Sequence, residues 1–193
     1  FGEQNRWGYV KTPDKHAAEA QPLLDAIKAS GLTSLSLRRT GMGPVSCGKL
    51  AGAVSAALTS LTAIGNPHIG ESGANSLIKA FDSNPQLQTM CGIEPGSTVV
   101  DLSNKNMGPA DCLLLAHELQ VSRARASLTS LTIDSTGNMR DQVVYTLTAG
   151  EQTLDLSRKN LGPADLNLLS KWMQRPEVSA APTSLNVSGN TLT

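Results

Sequence analysis

The segment that comes closest to a known chemical motif is Gly43–Leu50, with the sequence GPVSCGKL. It has the glycines and the lysine of a phosphate-binding loop, in which backbone N–H groups and the lysine hold phosphates. Such a loop also requires Ser or Thr directly after the lysine to hold magnesium, and Leu50 stands there. We therefore predict that the segment binds no nucleotide, and we predict no cofactor for the chain.

The histidines and cysteines form no catalytic or metal-binding pattern. His117 is followed by Glu118, but no second histidine comes four residues after the first, as a zinc site of that type needs. The three cysteines form no Cys-x-x-Cys pair, and Cys112 falls on a leucine-rich helix face. We predict buried, unreactive thiols, no metal site and no catalytic residue. The alternative is an enzyme domain in which the fold brings a cysteine and a histidine together.

Asp101 and Asp155 resemble a pair of catalytic carboxylates, because they hold equivalent positions in two copies of the same local sequence. If one strand lies between them, they are roughly 10 Å apart, which is too far to share a proton. We predict that both are solvated on the exposed face of a sheet.

The two aspartates belong to an internal repeat. The segment Val100–Asp111 returns as Leu154–Asp165, and a second landmark, Thr-Ser-Leu, returns at the same offset of 54 residues. Two landmarks at one offset indicate a repeated structural unit. We predict one shared strand-turn-helix-strand unit at 99–139 and 153–193.

A shorter pattern, Leu-x-x-Leu-x-Leu, recurs along most of the chain. Versions of it begin at Leu32, Leu58 and Leu128, and Asn66 and Asn190 stand five residues beyond a leucine of the pattern. The pattern resembles the leucine-rich repeat family in its longer, helix-containing, ribonuclease-inhibitor-like form. The resemblance implies an α/β solenoid, a horseshoe arc with parallel strands on the concave face and helices on the convex face. It also implies that the protein binds other proteins.

We predict two parts in the chain: an N-terminal arm and capping helix at 1–31, and leucine-rich repeats at 32–193. Helices are expected wherever a Gly-Pro dipeptide precedes an apolar run, because proline fits the first turn of a helix. The prolines in question are Pro44, Pro109 and Pro163. Turns at 94–97 and 149–152 are predicted to join antiparallel segments, because the spacing there is too short for a parallel crossover.

Composition narrows the class of protein. With 16 basic and 16 acidic residues the net charge is zero, so the basic stripe that nucleic acid requires is missing. No apolar run approaches the roughly 18 residues of a membrane span. The odd number of cysteines predicts an intracellular, reducing compartment, such as the cytoplasm or an organelle interior, and no secretion. Because the sequence starts at Phe1 and stops at Thr193 inside a repeat, we expect a piece of a longer protein.

These observations predict a non-catalytic protein–protein interaction or assembly module, a scaffold with another protein or a large complex as partner and no small-molecule substrate. The alternatives are a structural or linker subunit of a large complex and, less favoured, an enzyme domain embedded in the repeat. Outward strand positions are mostly small and polar, so the aromatic arm is expected to anchor the partner. The predicted partner-binding residues are Trp7, Tyr9, Arg38, Asp101, Asp134 and Asp155.

Overall fold

The computed structural model describes residues 1–6, 10–121, 127–179 and 182–192. The helices are α1 (Gln21–Ala29), α2 (Pro44–Ala53), α3 (Gly70–Ser83), α4 (Pro109–Gln120), α5 (Pro163–Met173) and α6 (Pro176–Ser179). The strands are β1 (Glu3–Gln4), β2 (Val10–Thr12), β3 (Ser34–Ser36), β4 (Ser60–Thr62), β5 (Val99–Asp101), β6 (Ser130–Asp134), β7 (Val144–Thr148), β8 (Thr153–Asp155) and β9 (Ser184–Asn186).

The predicted Gly-Pro helix starts are confirmed. Helices α2, α4 and α5 each have proline in the first helical turn, and a glycine in extended conformation directly precedes it. In α4 and α5 the third helical residue, Asp111 or Asp165, accepts a hydrogen bond of 2.8 Å from the N–H of Gly108 or Gly162 respectively. Each of these helices therefore closes its own N-terminus with a carboxylate from its first turn.

Within the described residues the strands form four small sheets. Parallel pairing joins β3 to β4, β5 to β6 and β8 to β9, while β1 pairs with β2 and β6 pairs with β7 in the antiparallel sense. Between β4 and the segment around residues 89–91 the described chain makes only two isolated bridges, one parallel and one antiparallel. The largest sheet thus has three strands, in the order β5-β6-β7.

The predicted leucine-rich-repeat solenoid, with one curved parallel sheet on a concave face and helices on a convex face, is wrong. The described chain is a mixed α/β structure of short strands in separate sheets of two or three strands. Two features interrupt the array that the resemblance implied. Strand β7 runs antiparallel along β6, and the 87–93 segment is kinked at Gly92, whose φ is +75°.

The strand pairing at the predicted short turns also differs from the prediction. A turn does form at 94–97, where the N–H of Ser97 donates to the carbonyl of Glu94. However, β5 after this turn pairs with β6, and β8 after the turn at 149–152 pairs with β9. Neither turn therefore joins two strands that pair with each other, because each following strand finds its partner about 30 residues farther along the chain.

The core is aliphatic and lies where the helices meet the strands. Leu102 and Leu156 are buried, as the repeat predicted, and Leu114 and Leu168 on α4 and α5 are fully buried. Neighbouring helices pack on each other in chain order from α1 to α5. No helix within the described ranges is long and apolar enough to cross a membrane.

Two buried or half-buried asparagines connect neighbouring turns. The side-chain oxygen of Asn66 accepts the N–H groups of Thr40, Gly41 and Met42, and its amide donates to two carbonyls. Asn190 makes the same kind of contact, accepting from Lys159 and also from Leu161 and donating to two carbonyls. These side chains satisfy backbone groups that the turns would otherwise leave without partners.

The two segments of the 54-residue repeat share their local backbone. Asn104 and Arg158 have φ of 57° and 52°, and Asn106 and Asn160 have φ of 56° and 54°. Both segments therefore turn through the left-handed region at the same two positions between strand and helix. The domain boundary at residue 31 stays a prediction.

Candidate functional site

The segment that resembles a phosphate-binding loop is the start of α2, and a carboxylate from the arm occupies it. The N–H groups of Gly43, Val45 and Ser46 donate to the two oxygens of Asp14 at 2.8, 2.8 and 3.0 Å. Lys49 donates instead to the side-chain oxygen of Gln21. The N–H groups that could hold an anion at this helix start are thus already bonded within the chain.

Asp14 caps the N-terminus of α2, as Asp111 and Asp165 cap the helices in which they lie. The third residue of α2 is Ser46, so that helix has no carboxylate of its own in its first turn. The carboxylate of Asp14 also fits closely against Gly43, because a Cβ at that position would lie 2.5 Å from Oδ2 of Asp14. Burial by itself would raise the pKa of Asp14, but hydrogen bonds from Ser46 and from the backbone lower it below its usual value.

The buried carboxylates of the described chain hold backbone together. Asp111 accepts from Gly65 as well as from its own helix start, and burial raises its pKa to about 7. Asp165 accepts from the N–H of Thr136 and from the hydroxyl of Tyr145. Glu118 accepts from the N–H groups at residues 90 and 91, and burial raises its pKa as well. Each carboxylate is bonded to backbone of a neighbouring segment, which is a structural arrangement.

The three thiols are free and buried. Burial raises the pKa of Cys47 to about 12, with the charges of Asp14 and Asp111 adding to the effect. The pKa of Cys91 and of Cys112 is likewise raised, first by burial. A thiol is nucleophilic as the thiolate, so these residues are poor nucleophiles at neutral pH.

Two rows of polar side chains cross the strands, and we call them the strand-end rows. The first row runs across β5, β6 and β7 through Asp101, Thr132 and Thr146, and the second runs across β8 and β9 through Asp155 and Asn186. In the first row the hydroxyls of Thr132 and Thr146 lie 2.9 Å apart and share a hydrogen bond. Both rows therefore start with an exposed carboxylate and continue with neutral hydrogen-bonding side chains.

The two exposed carboxylates are held in the same way. Oδ1 of Asp101 accepts the N–H of Ser103 at 2.8 Å, and Oδ1 of Asp155 accepts the N–H of Ser157 at 3.0 Å. Hydrogen bonds from the hydroxyl and the N–H of each serine lower the pKa of both aspartates. A nearby lysine, four residues after each aspartate, lowers each pKa further. Both carboxylates are therefore ionised at neutral pH and oriented by the turn.

The aspartate pair does not form a shared acid site. Asp101 belongs to the β5-β6-β7 sheet and Asp155 to the separate β8–β9 sheet. Within the described ranges no three His, Cys, Asp or Glu side chains are grouped so that they could hold a metal ion.

The other predicted partner-binding residues lie in different surroundings. Asp134 is buried, and its carboxylate accepts the N–H groups of Asn104 and Lys105. Arg38 is half-buried, and its aliphatic stem lies so close to Gly65 that a Cβ there would be 3.0 Å from Arg38 Cγ. Trp7 and Tyr9 lie outside the described residues.

Comparison with models of known protein families gives no match for this chain, and a search of curated protein sequences gives none either.

Sequence reasoning missed three members of the strand-end rows as partners of the aspartates. Thr132 and Asn186 were recognisable as outward strand positions, but their pairing with Asp101 and Asp155 depends on strand register. Thr146 lies on β7, whose alternation predicts a strand but does not say that it pairs with β6. The repeated carboxylate with Ser two residues later is the sequence signal that could have found the rows.

Proposed function

We propose that this chain is a non-catalytic protein–protein interaction or assembly module, and that it contacts its partner through the strand-end rows. The observation that carries the proposal is the repetition of one exposed arrangement. An ionised aspartate, oriented by a serine N–H two residues later and paired across the strand with a neutral polar side chain, occurs at Asp101 and again at Asp155.

The chemistry of the rows favours a partner segment with basic side chains. Each carboxylate is exposed and ionised, so it attracts Lys or Arg, and the neighbouring Thr or Asn side chains supply donors and acceptors for the partner's polar groups. Exposed charges of this kind mainly increase the rate of association, and salt weakens them. Two equivalent contacts on one chain add to each other when a single partner spans both.

The aromatic residues of the arm are the second element of the proposal. Trp7 and Tyr9 supply large contact areas at low cost in conformational entropy, and such residues dominate binding energy in many interfaces. We therefore expect Trp7→Ala to raise the rate of dissociation of the partner, while changes in the strand-end rows mainly lower the rate of association.

The proposal is tested by affinity capture from a cell extract with the immobilised chain, followed by elution in salt and identification of the eluted proteins. The double variant Asp101→Asn/Asp155→Asn should capture smaller amounts of these proteins than the unchanged chain does at low salt. The matched control is Glu19→Gln/Asp25→Asn, which removes the same two charges from exposed positions at and before α1.

The control should capture the same proteins as the unchanged chain, because its changes lie outside the rows. If the Asp101→Asn/Asp155→Asn variant retains every captured protein at the same yield, the strand-end rows are not the binding surface. If both double variants lose the captured proteins equally, net charge rather than the geometry of the rows controls capture.

A further inference from the structure

Three basic side chains belong to two turns that pack against Gly65. Arg38 and Arg39 lie in the turn after β3, and Lys105 lies in the turn after β5. A Cβ on Gly65 would be 3.0 Å from Cγ of Arg38 and 2.8 Å from the carbonyl oxygen of Lys105. Both turns therefore contact the same glycine, and we call Arg38, Arg39 and Lys105 the basic turn cluster.

Backbone contacts hold the cluster in place. The Nη2 atom of Arg39 donates to the carbonyl oxygen of Asn104 at 2.8 Å, which connects the first turn to the second. Gly65 has a φ of +78°, a conformation that residues with a side chain rarely adopt, and its missing Cβ leaves room for the stem of Arg38. The two arginines therefore lie against backbone of neighbouring segments.

The contact between an arginine stem and a left-handed glycine occurs a second time in the chain. Gly189 has a φ of +70°, and a Cβ there would lie 2.9 Å from Cγ of Arg158. Gly65 and Gly189 each stand directly before an asparagine. A stem that already lies against backbone has less rotamer freedom to lose when its guanidinium binds a ligand. The arrangement therefore preorganises the arginine for binding.

The cluster is not neutralised by the described part of the chain. No carboxylate oxygen there lies within 4 Å of a side-chain nitrogen of Arg38, Arg39 or Lys105. The buried carboxylates Asp111 and Asp134 bond backbone N–H groups instead. The Nε atom of Arg38 is buried, and it has no hydrogen-bond partner among the described residues. The guanidinium of Arg38 is therefore not satisfied by these residues.

The surroundings of the cluster favour one class of anion. The pKa of Asp101 is lowered by hydrogen bonds from Ser103 and also by the charge of Lys105, so an exposed carboxylate lies near the cluster. The evenly spaced phosphates of a nucleic acid would be repelled by this carboxylate, and the cluster has no aromatic side chain on which a base could stack. A polypeptide can place an acidic side chain at the cluster and a neutral or basic one beside Asp101.

We propose that the basic turn cluster binds an acidic segment of a partner protein. A guanidinium binds a carboxylate through two parallel hydrogen bonds, and Arg38 and Arg39 supply two such groups side by side in the sequence. Lys105 adds a point charge to the same surface. The cluster takes the opposite charge to the one that the strand-end rows take, so this inference goes beyond the proposed function and does not depend on it.

Fluorescence anisotropy with a labelled hexaglutamate peptide at low salt measures the binding to the full chain. We expect a micromolar dissociation constant that rises about tenfold in Arg38→Gln/Arg39→Gln, because two charge-assisted contacts are lost. The matched control Lys28→Gln/Lys79→Gln removes two exposed charges from α1 and α3 and should change the constant by less than about twofold. Absence of binding to the unchanged chain, equal affinity of Arg38→Gln/Arg39→Gln, or an equal loss in the control would overturn the proposal.

A second pair of variants separates the geometry of the guanidinium from its charge. Arg38→Lys keeps the charge but loses the planar group, so its affinity for hexaglutamate should fall about threefold or more. The matched exchange Lys105→Arg should bind at least as tightly as the unchanged chain. If urea unfolding shows that Arg38→Gln/Arg39→Gln does not fold, Arg39→Gln alone, at an exposed position, should still weaken binding. Unchanged affinity in Arg38→Lys or in Arg39→Gln would refute the assigned role of that arginine.

Two more measurements separate the cluster from the strand-end rows and from a nucleic-acid site. Asp101→Asn/Asp155→Asn should bind hexaglutamate at least as tightly as the unchanged chain, because it removes carboxylates that repel the peptide. Weaker binding by this variant would contradict an independent cluster. A hexathymidylate oligonucleotide should bind more weakly than the peptide at the same salt, and equal or tighter binding would overturn the assignment to an acidic segment. Failure of these tests would leave the capture experiment with the strand-end rows unaffected.

Discussion

Replacing Asp14 by alanine should destabilise the protein by removing the carboxylate that closes the N-terminus of α2. Three N–H groups, at Gly43, Val45 and Ser46, would lose their acceptor. Loss of a helix cap costs about 0.5–2 kcal/mol, and hydrogen bonds to a charged group lie at the upper end of such effects. Because Asp14 is only half-buried, we expect a loss of about 2 kcal/mol rather than the sum of three charged hydrogen bonds. For a chain of this size that loss lowers the melting temperature by roughly 4–8 °C.

The effect of Asp14→Ala should depend on pH with a defined sign. The pKa of Asp14 is lowered in the folded protein, so its contribution to stability is fully present above the ordinary pKa of an aspartate, about 3.9. The contribution is lost as the pH falls through the lower, folded pKa. The stability difference between the unchanged chain and Asp14→Ala, measured by urea unfolding, should therefore be constant between about pH 5 and 7 and shrink below about pH 4.

A second variant separates capping from other roles of Asp14. Adding Ser46→Asp to Asp14→Ala supplies α2 with a carboxylate at the position that Asp111 and Asp165 hold in α4 and α5. We expect it to restore about half or more of the lost stability, within the range of a single cap. The control Glu19→Ala, at an exposed position, should change stability by less than about 0.5 kcal/mol. A loss with Asp14→Ala that is equally large at about pH 3 and pH 7 would refute the capping argument.

Three further outcomes are expected from the same structure. Leu168→Ala should lower the free energy of unfolding by about 2–5 kcal/mol, because Leu168 is fully buried. The control Leu23→Ala, at an exposed leucine, should lower it by less than about 0.5 kcal/mol. A loss below about 1 kcal/mol for Leu168→Ala would contradict its burial. Asn66→Ala should lower the free energy of urea unfolding by about 3 kcal/mol, because it leaves buried backbone groups unpaired. The control Asn75→Ala, at an exposed position, should leave that free energy nearly unchanged. Equal effects of the two changes would argue against the turn contacts of Asn66. The three thiols should react with a disulfide reagent only as fast as the protein opens, so fast labelling of the native chain at neutral pH would contradict their burial.

Local features of the structure could be predicted from the sequence. The helix starts at Pro44, Pro109 and Pro163 follow from the missing N–H and fixed φ of proline, which act within one turn. The burial of Leu102 and Leu156 follows from the repeat, because equivalent positions in a repeated unit face the same core. These predictions needed no knowledge of which strands pair.

Contacts between distant segments could not be predicted. The carboxylate of Asp14 bonds the start of α2, 29–32 residues farther along the chain, and no local pattern in the sequence indicates that contact. Similarly, the alternation in β7 indicates a strand, but its pairing with β6 depends on backbone hydrogen bonds that leave no local signal. The solenoid prediction was wrong for the same reason, because the resemblance assumed one continuous parallel sheet and the strand pairing is interrupted at β7 and around Gly92.

The candidate site was predictable in part. Asp101 and Asp155 were named from the repeat, and both are exposed strand residues. Asp134 also stands at an outward strand position, but its carboxylate is covered because it accepts the backbone N–H groups of residues 104 and 105. A sequence pattern of period two indicates on which face of a strand a side chain lies. It does not show which parts of that face another segment covers.

The most direct test of the proposed function is the association rate of a captured partner, measured by surface plasmon resonance at low and high salt. For Asp101→Asn/Asp155→Asn we predict an association rate reduced about tenfold at low salt, with the difference from the unchanged chain shrinking at high salt. The charge-matched Glu19→Gln/Asp25→Asn control should associate at close to the unchanged rate. An association rate that is the same for the unchanged chain and the Asp101→Asn/Asp155→Asn variant at low salt would contradict the proposal that the strand-end rows meet the partner.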